Sequence, residues 1–234
     1  MGVCFMYDSS LLQRGLSGTA LKLFALVVMT IDHIGMLLLP QFSILRMIGR
    51  LAFPIFAYMI AEGCRYTHNK RLYWGRMAVL GAAAQIVYYA AAADLTMCIF
   101  VSFALAIPII YALHSNKNSI SKLLLSAAAF AFAALISAVL PELIPGFSVD
   151  YGFSGIMLPV LISLGSDKRQ RLILSAIGIA AVSFSLGGIQ WWSLLSLIPL
   201  AMYNGTRGKA PMKTLFYVYY PAHLAVLYCI SALL

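Results

Sequence analysis

Residues 20–39 read ALKLFALVVMTIDHIGMLLL. At 1.5 Å per residue such a run makes a helix about 30 Å long, the thickness of a bilayer's hydrocarbon layer. Past Lys22 its only ionisable side chains are Asp32 and His33, so it predicts a membrane-spanning helix carrying two groups that lipid opposes. Apolar runs of similar length recur along the chain, near 44–64, 77–93, 97–113, 123–140, 151–165, 172–188, 190–203 and 214–234. Hydrophobic residues make up 62% of the 234 and charged ones 10%, against roughly a quarter charged in soluble proteins. The expected fold class is therefore all-α: a polytopic membrane helix bundle of about nine transmembrane helices, forming a single integral membrane domain over residues 1–234.

The linkers order this bundle. Arg65 to Arg76, His114 to Lys122, Ser166 to Arg171 and Asn204 to Lys213 are alternate loops and together hold twelve Lys and Arg. The intervening linkers, around Pro40, around Asp94 to Thr96, from Pro141 to Asp150 and at Gly187-Gly188, hold none. Positive charge marks the cytoplasmic side, which with Arg14 and Lys22 places the N-terminus in the cytoplasm. A net charge of +9 distributed in this way reads as a topology signal, and no nucleic-acid partner is expected. Cys4, Cys64, Cys98 and Cys229 stand far apart without accompanying His, so no metal site is expected either.

Arg46 and Arg50 break the pattern, because they fall in the outer part of the second predicted helix. Charge inside a bilayer is costly and marks function by default. Such residues are unevenly spread: Asp32 and His33 in helix one, Arg46, Arg50 and Glu62 in helix two, His223 in helix nine, and none but tyrosines in helices three to eight. Helices one, two and nine are thus expected to enclose a polar cavity, the other six serving as scaffold. Arg46 and Arg50, four apart, share a helix face and present two guanidinium forks to a carboxylate or phosphate; snorkelling to headgroups is the alternative. Asp32 and His33 diverge by about 100°, so their partners must come from other helices, with Arg46 or Arg50 the candidates for Asp32. A buried His33 bonded to a carbonyl, an ion pair between Glu62 and Arg65, an interfacial belt of Tyr217 and Tyr219, an N-cap role for Asp150 and a turn at Asn204-Gly205-Thr206 are the plain structural readings of the remaining signals. Pro54, Pro108, Pro159, Pro199 and Pro221 predict kinks.

The segments around Ile31-Asp32-His33-Ile34-Gly35, Arg46 to Phe56 and Ala61-Glu62-Gly63 closely resemble the TraX family, as do Asp150-Tyr151-Gly152, Tyr203-Asn204-Gly205 and Tyr220-Pro221-Ala222-His223-Leu224. The resemblance runs over nearly the whole chain. It implies membrane acyl transfer, the family being named for a protein that acetylates the N-terminus of pilin and grouped with larger acyl-coenzyme A dependent membrane enzymes. It implies a bacterial cytoplasmic (inner) membrane location and acetyl-CoA as acyl donor. In those relatives a first-helix His and following arginines carry activity, which corresponds here to His33, Arg46 and Arg50. The arginines stand as RxxxR where the larger enzymes show RxxR.

The expectation is an enzyme in which His33 acts as general base or transient acyl carrier, with Asp32, Arg50 and His223 also catalytic. Arg46, Glu62, Arg65, Tyr220 and Asp150 are expected to bind substrate or acyl-CoA, whose phosphates would lie on basic loop residues such as Arg65, Lys70, Arg71 and Arg76. The acceptor would be an amine or hydroxyl of a pilin-like N-terminus, a glycan or a small molecule. A proton-coupled transporter and a non-enzymatic membrane assembly protein are the alternatives, the first weakened by the lack of an internal repeat.

Overall fold

The computed structural model describes residues 15–208 and 213–233. Cys4, Arg14 and Lys209 lie outside the described residues, as do the side chains of Lys213 and Tyr217. The described chain is helical almost throughout: α1 (Gly18–Leu37), α2 (Ser43–Gly49), α3 (Ala52–Tyr66), α4 (Lys70–Ala92), β1 (Thr96–Met97), α5 (Ile99–Leu113), α6 (Ser119–Ala134), a π turn (Leu135–Val139), α7 (Leu140–Leu143), β2 (Ser148–Val149), α8 (Gly152–Ser163), α9 (Lys168–Leu186), a 3-10 helix (Gly188–Ser196), α10 (Leu197–Ala201) and α11 (Lys213–Ser231). Among the described residues four stretches are long and apolar enough to cross a membrane: Gly18–Leu37, Ser43–Tyr66, Ser119–Leu143 and Lys168–Leu186. Together these features describe a helical membrane protein.

The centre of the bundle is α3, with eleven of its fifteen residues buried. It packs on α1, α5, α8 and the 3-10 helix, while α11 lies between α1 and α4. Phe53, Ile55, Tyr58, Phe103, Ile107, Ile156 and Leu158 make the apolar interior. Side chains such as Val79, Ile86, Leu123, Phe132 and Phe184 face outward, the inside-out surface a bilayer requires.

The structure departs from the predicted helices in three places. The run at 44–64 is broken: α2 stops at Gly49 and α3 starts at Ala52. Pro54 has no N–H to give the carbonyl four residues back, which is that of Arg50, and the backbone tightens at the break: Arg50 N–H is shared between Arg46 O (3.2 Å) and Met47 O (3.3 Å), and Leu51 N–H goes to Ile48 O (3.2 Å). The predicted helix at 190–203 is 3-10 over its first half, to Ser196, and α-helical only over Leu197–Ala201. Finally, α4, α6 and α9 begin several residues before their apolar runs because Asn69, Asn118 and Asp167 cap them, accepting from the backbone N–H groups of Leu72, Ser121 and Gln170.

Helices α5 and α8, with 15 and 12 residues, reach only about 22 and 18 Å. Each is preceded by a two-residue strand, and the strands pair in parallel, Thr96 with Ser148 and Met97 with Val149. Extended backbone at this depth is tolerated only if its polar groups are met by protein. Gln85 meets them: its amide donates to Thr96 O (3.0 Å) and accepts from Cys98 N–H (2.8 Å). The pairing continues one bond further, from Asp150 N–H to Met97 O (2.9 Å). Asp150 is therefore not an N-cap, as the sequence alone allowed; the residue before α8 is Tyr151, with φ +60° and no side-chain cap. At the other end of the bundle Asn204 Oδ1 accepts from the Thr206 N–H and hydroxyl, the turn expected there.

Candidate active site

α1 and α2 approach so closely that a Cβ on Gly49 would overlap the Asp32 side chain, and one on Gly35 would lie 2.7 Å from Leu45 Cβ. This contact turns Asp32 toward the next helix. Arg46 Nη1 donates to Asp32 Oδ2 at 2.6 Å and Arg50 Nη2 to Oδ1 and Oδ2 at 2.8 and 2.9 Å. Both arginines thus donate to one carboxylate, each through a single Nη, rather than either one alone. Arg50 is further fixed by Nε–H to Arg46 O (3.3 Å) and by Nη1–H to the Tyr151 hydroxyl (3.4 Å). Tyr151 is itself clamped, its ring stacked on Phe53 at 3.8 Å between centroids.

The neighbouring His33 turns the other way, as adjacent helical positions must. Its Nδ1 lies 2.8 Å from His223 Nε2 on α11, and His223 Nδ1 lies 2.9 Å from Tyr219 O. The Tyr219 ring stacks on His223 with 5.1 Å between centroids. Thr30 Oγ1 spends its proton on Leu26 O (2.8 Å), so the Tyr219 hydroxyl is the donor in their 2.7 Å contact. Tyr220 closes the site, edge-on to His33 and to Phe100.

These groups border a cavity of about 170 Å³ lined by Asp32, His33, Arg46, Arg50, Asp150, Tyr151 and Tyr220, with Tyr88, Thr96, Met97, Cys98 and Ile99 on the far wall. Three charged residues converge with a histidine and two phenols, while Asp150 adds a second carboxylate to the lining. Such a space can hold a polar reacting group away from bulk water. The wall is wider than helices one, two and nine: α4, β1, the start of α5 and the turn before α8 contribute, so those segments are more than scaffold. Among the described residues no cluster of His, Cys, Asp and Glu has the arrangement of a metal site.

Glu62 and Arg65 do not join the cavity. Glu62 lies in the last turns of α3, at the end remote from Arg50, and forms an ion pair with Arg171 of α9, while Tyr203 donates to its other oxygen at 3.1 Å. Arg171 also lies over the Tyr58 ring. Arg65, instead of pairing with Glu62, donates to Ser166 O. Arg171 is not among the candidates that hydropathy marks, because it stands in a basic linker between apolar runs. The signal was present: Asp167 and Gln170 have capping-box spacing, and Gln170 Oε1 accepts from Ser166 N–H, which starts the helix at Lys168 and turns Arg171 inward.

The family model for the TraX protein matches residues 17–231, and that span contains every residue of the cavity. The chain belongs to the TraX family. It is 23% identical over 241 residues, covering 90% of this chain and 94% of the relative, to a protein of Dichelobacter nodosus described as probable fimbrial assembly protein FimC, serogroup H1. It is also 53% identical over 38 residues, 16% of this chain and 15% of the relative, to an uncharacterised protein of Rickettsia prowazekii. No solved structure matches it.

Proposed function

We propose that this TraX-family protein is a membrane-embedded acyltransferase that moves an acetyl or other short acyl group from acyl-CoA to an amine or hydroxyl. The observation that carries the reading is the cavity itself, which His33 lines together with a carboxylate held by two arginines. In this reading His33 takes the proton of the acceptor as it attacks the thioester carbon. Arg46 and Arg50 supply fixed positive charge near the oxyanion that develops there. Asp32 holds both forks in place, and Asp150 and Tyr220 line the acceptor's side of the space. The X–C bond forms, the C–S bond breaks, and the proton returns to the departing coenzyme A sulfur.

The same reading gives the chain nine membrane crossings in the bacterial inner membrane, its N-terminus and basic loops in the cytoplasm. Acyl-CoA would then approach over Arg65, Lys70, Arg71 and Arg76, and the acceptor from the opposite side. The D. nodosus relative's description as a fimbrial assembly protein supports a pilin-like acceptor and equally an assembly role without chemistry. Proteoliposomes containing purified protein and acetyl-labelled acetyl-CoA separate the two. Transfer or hydrolysis of label by the wild type and its loss in His33→Ala are expected; no label movement by the wild type overturns the enzymatic reading.

A further inference from the structure

We propose that His223 is the proton-relay partner of His33 and fixes it in the tautomer whose Nε2 is bare. The catalytic consequence rests on the acyl-transfer reading above; the tautomer does not. Tyr219 O offers only lone pairs, so its 2.9 Å contact with His223 Nδ1 requires the proton on that nitrogen. A neutral imidazole has one N–H, which leaves His223 Nε2 an acceptor. The atom 2.8 Å away, His33 Nδ1, must then carry a proton, and His33 Nε2 is left with its lone pair. His33 borders the cavity, whereas His223 is buried behind it. One ring meets the reactants and the other orients it, the role a second hydrogen-bonded group plays for a catalytic histidine.

The pair also decides where positive charge goes. An imidazolium at His33 would sit in the same cavity as Arg46 and Arg50, whose like charge opposes it. If His33 Nε2 accepts a proton from the acceptor while Nδ1–H passes to His223 Nε2, the charge comes to rest on His223. There the Tyr219 carbonyl accepts from Nδ1–H and the Tyr219 ring lies stacked on the imidazole, an arrangement that favours a cation. When the C–S bond breaks, His33 Nε2–H protonates the thiolate and His33 Nδ1 recovers its proton from His223. The protein ends unchanged. His223 is thus a positioning residue that acts through His33.

Nitrogen-15 NMR of histidine-labelled protein in micelles reads the tautomer without reference to activity. The wild type is expected to show His33 protonated on Nδ1 and bare on Nε2, and His33 protonated on Nε2 overturns the relay. In His223→Gln the amide oxygen can still accept from His33 Nδ1–H but cannot take a proton. The tautomer should persist while kcat falls roughly 10²-fold, the scale of a proton-transfer contribution, with little change in KM for acetyl-CoA. In His223→Leu both should be lost. His223→Gln with wild-type kcat overturns the relay and leaves the acyl-transfer reading intact. A wild type that has the tautomer yet moves no acyl group overturns the relay's catalytic role together with that reading.

Discussion

Asp32 is the residue on which the site turns. Its carboxylate oxygens take the three short bonds that Arg46 and Arg50 make with α1, while its backbone carbonyl accepts a longer one from Arg46 Nη1 (3.3 Å); the side chains of all three are largely buried, 26% exposed for Arg46, 14% for Arg50 and 13% for Asp32. Such a cluster is weak evidence of stability, but removing one member leaves the others uncompensated. Asp32→Asn, which keeps the shape and removes the charge, should cost about 3 kcal/mol, read as a clearly lowered melting temperature in detergent. A melting temperature equal to the wild type's would mean that the arginines find water or lipid phosphate instead. The sequence disclosed these residues by their presence in apolar runs and even suggested the Asp32 partnership. It did not disclose that both arginines share it, because a helix face fixes only the direction in which two forks point.

At the scale of elements, the contact of α1 with α2 and the β1 and β2 pairing build the cavity. Gly49 permits the first. Gly49→Ala should destabilise by about 1–3 kcal/mol as an overpacked contact and displace Asp32. Gly75→Ala, where a Cβ would meet nothing within 4 Å, should be neutral or stabilise by up to about 1 kcal/mol; comparing the two melting temperatures checks the packing. Gln85 permits the second. Gln85→Leu strands Thr96 O and Cys98 N–H, each costing about 1–3 kcal/mol when unpaired, and should loosen the turn that carries Asp150 and Tyr151. Protease susceptibility at 94–98 would report it, and unchanged resistance would show that Gln85 is dispensable. The strands were not legible in sequence because two residues have no measurable periodicity, and their pairing joins positions 52 apart, as in the 2.9 Å bond from Ser148 Oγ to Thr96 Oγ1.

Across the whole molecule the two polar clusters lie at opposite ends of α3, Asp32 with its arginines at one and Glu62 with Arg171 and Tyr203 at the other. In the proposed orientation the first faces outward and the second the cytoplasm. Single cysteines at Lys117 and Glu142 in a background lacking Cys4, Cys64, Cys98 and Cys229 test it: an impermeant maleimide should label position 142 on intact spheroplasts, and position 117 only after permeabilisation. The reverse pattern would invert the bundle. The sequence by itself determined that the chain is helical and suited to a membrane, and which of its residues are out of place there, since hydropathy is a property of local composition. Only the tertiary structure decided which partner each of those residues takes: Asp32 reaches arginines 14 and 18 positions away, and His33 reaches His223 across 190. Such distances depend on helix crossings, breaks and caps, which no single run of residues records.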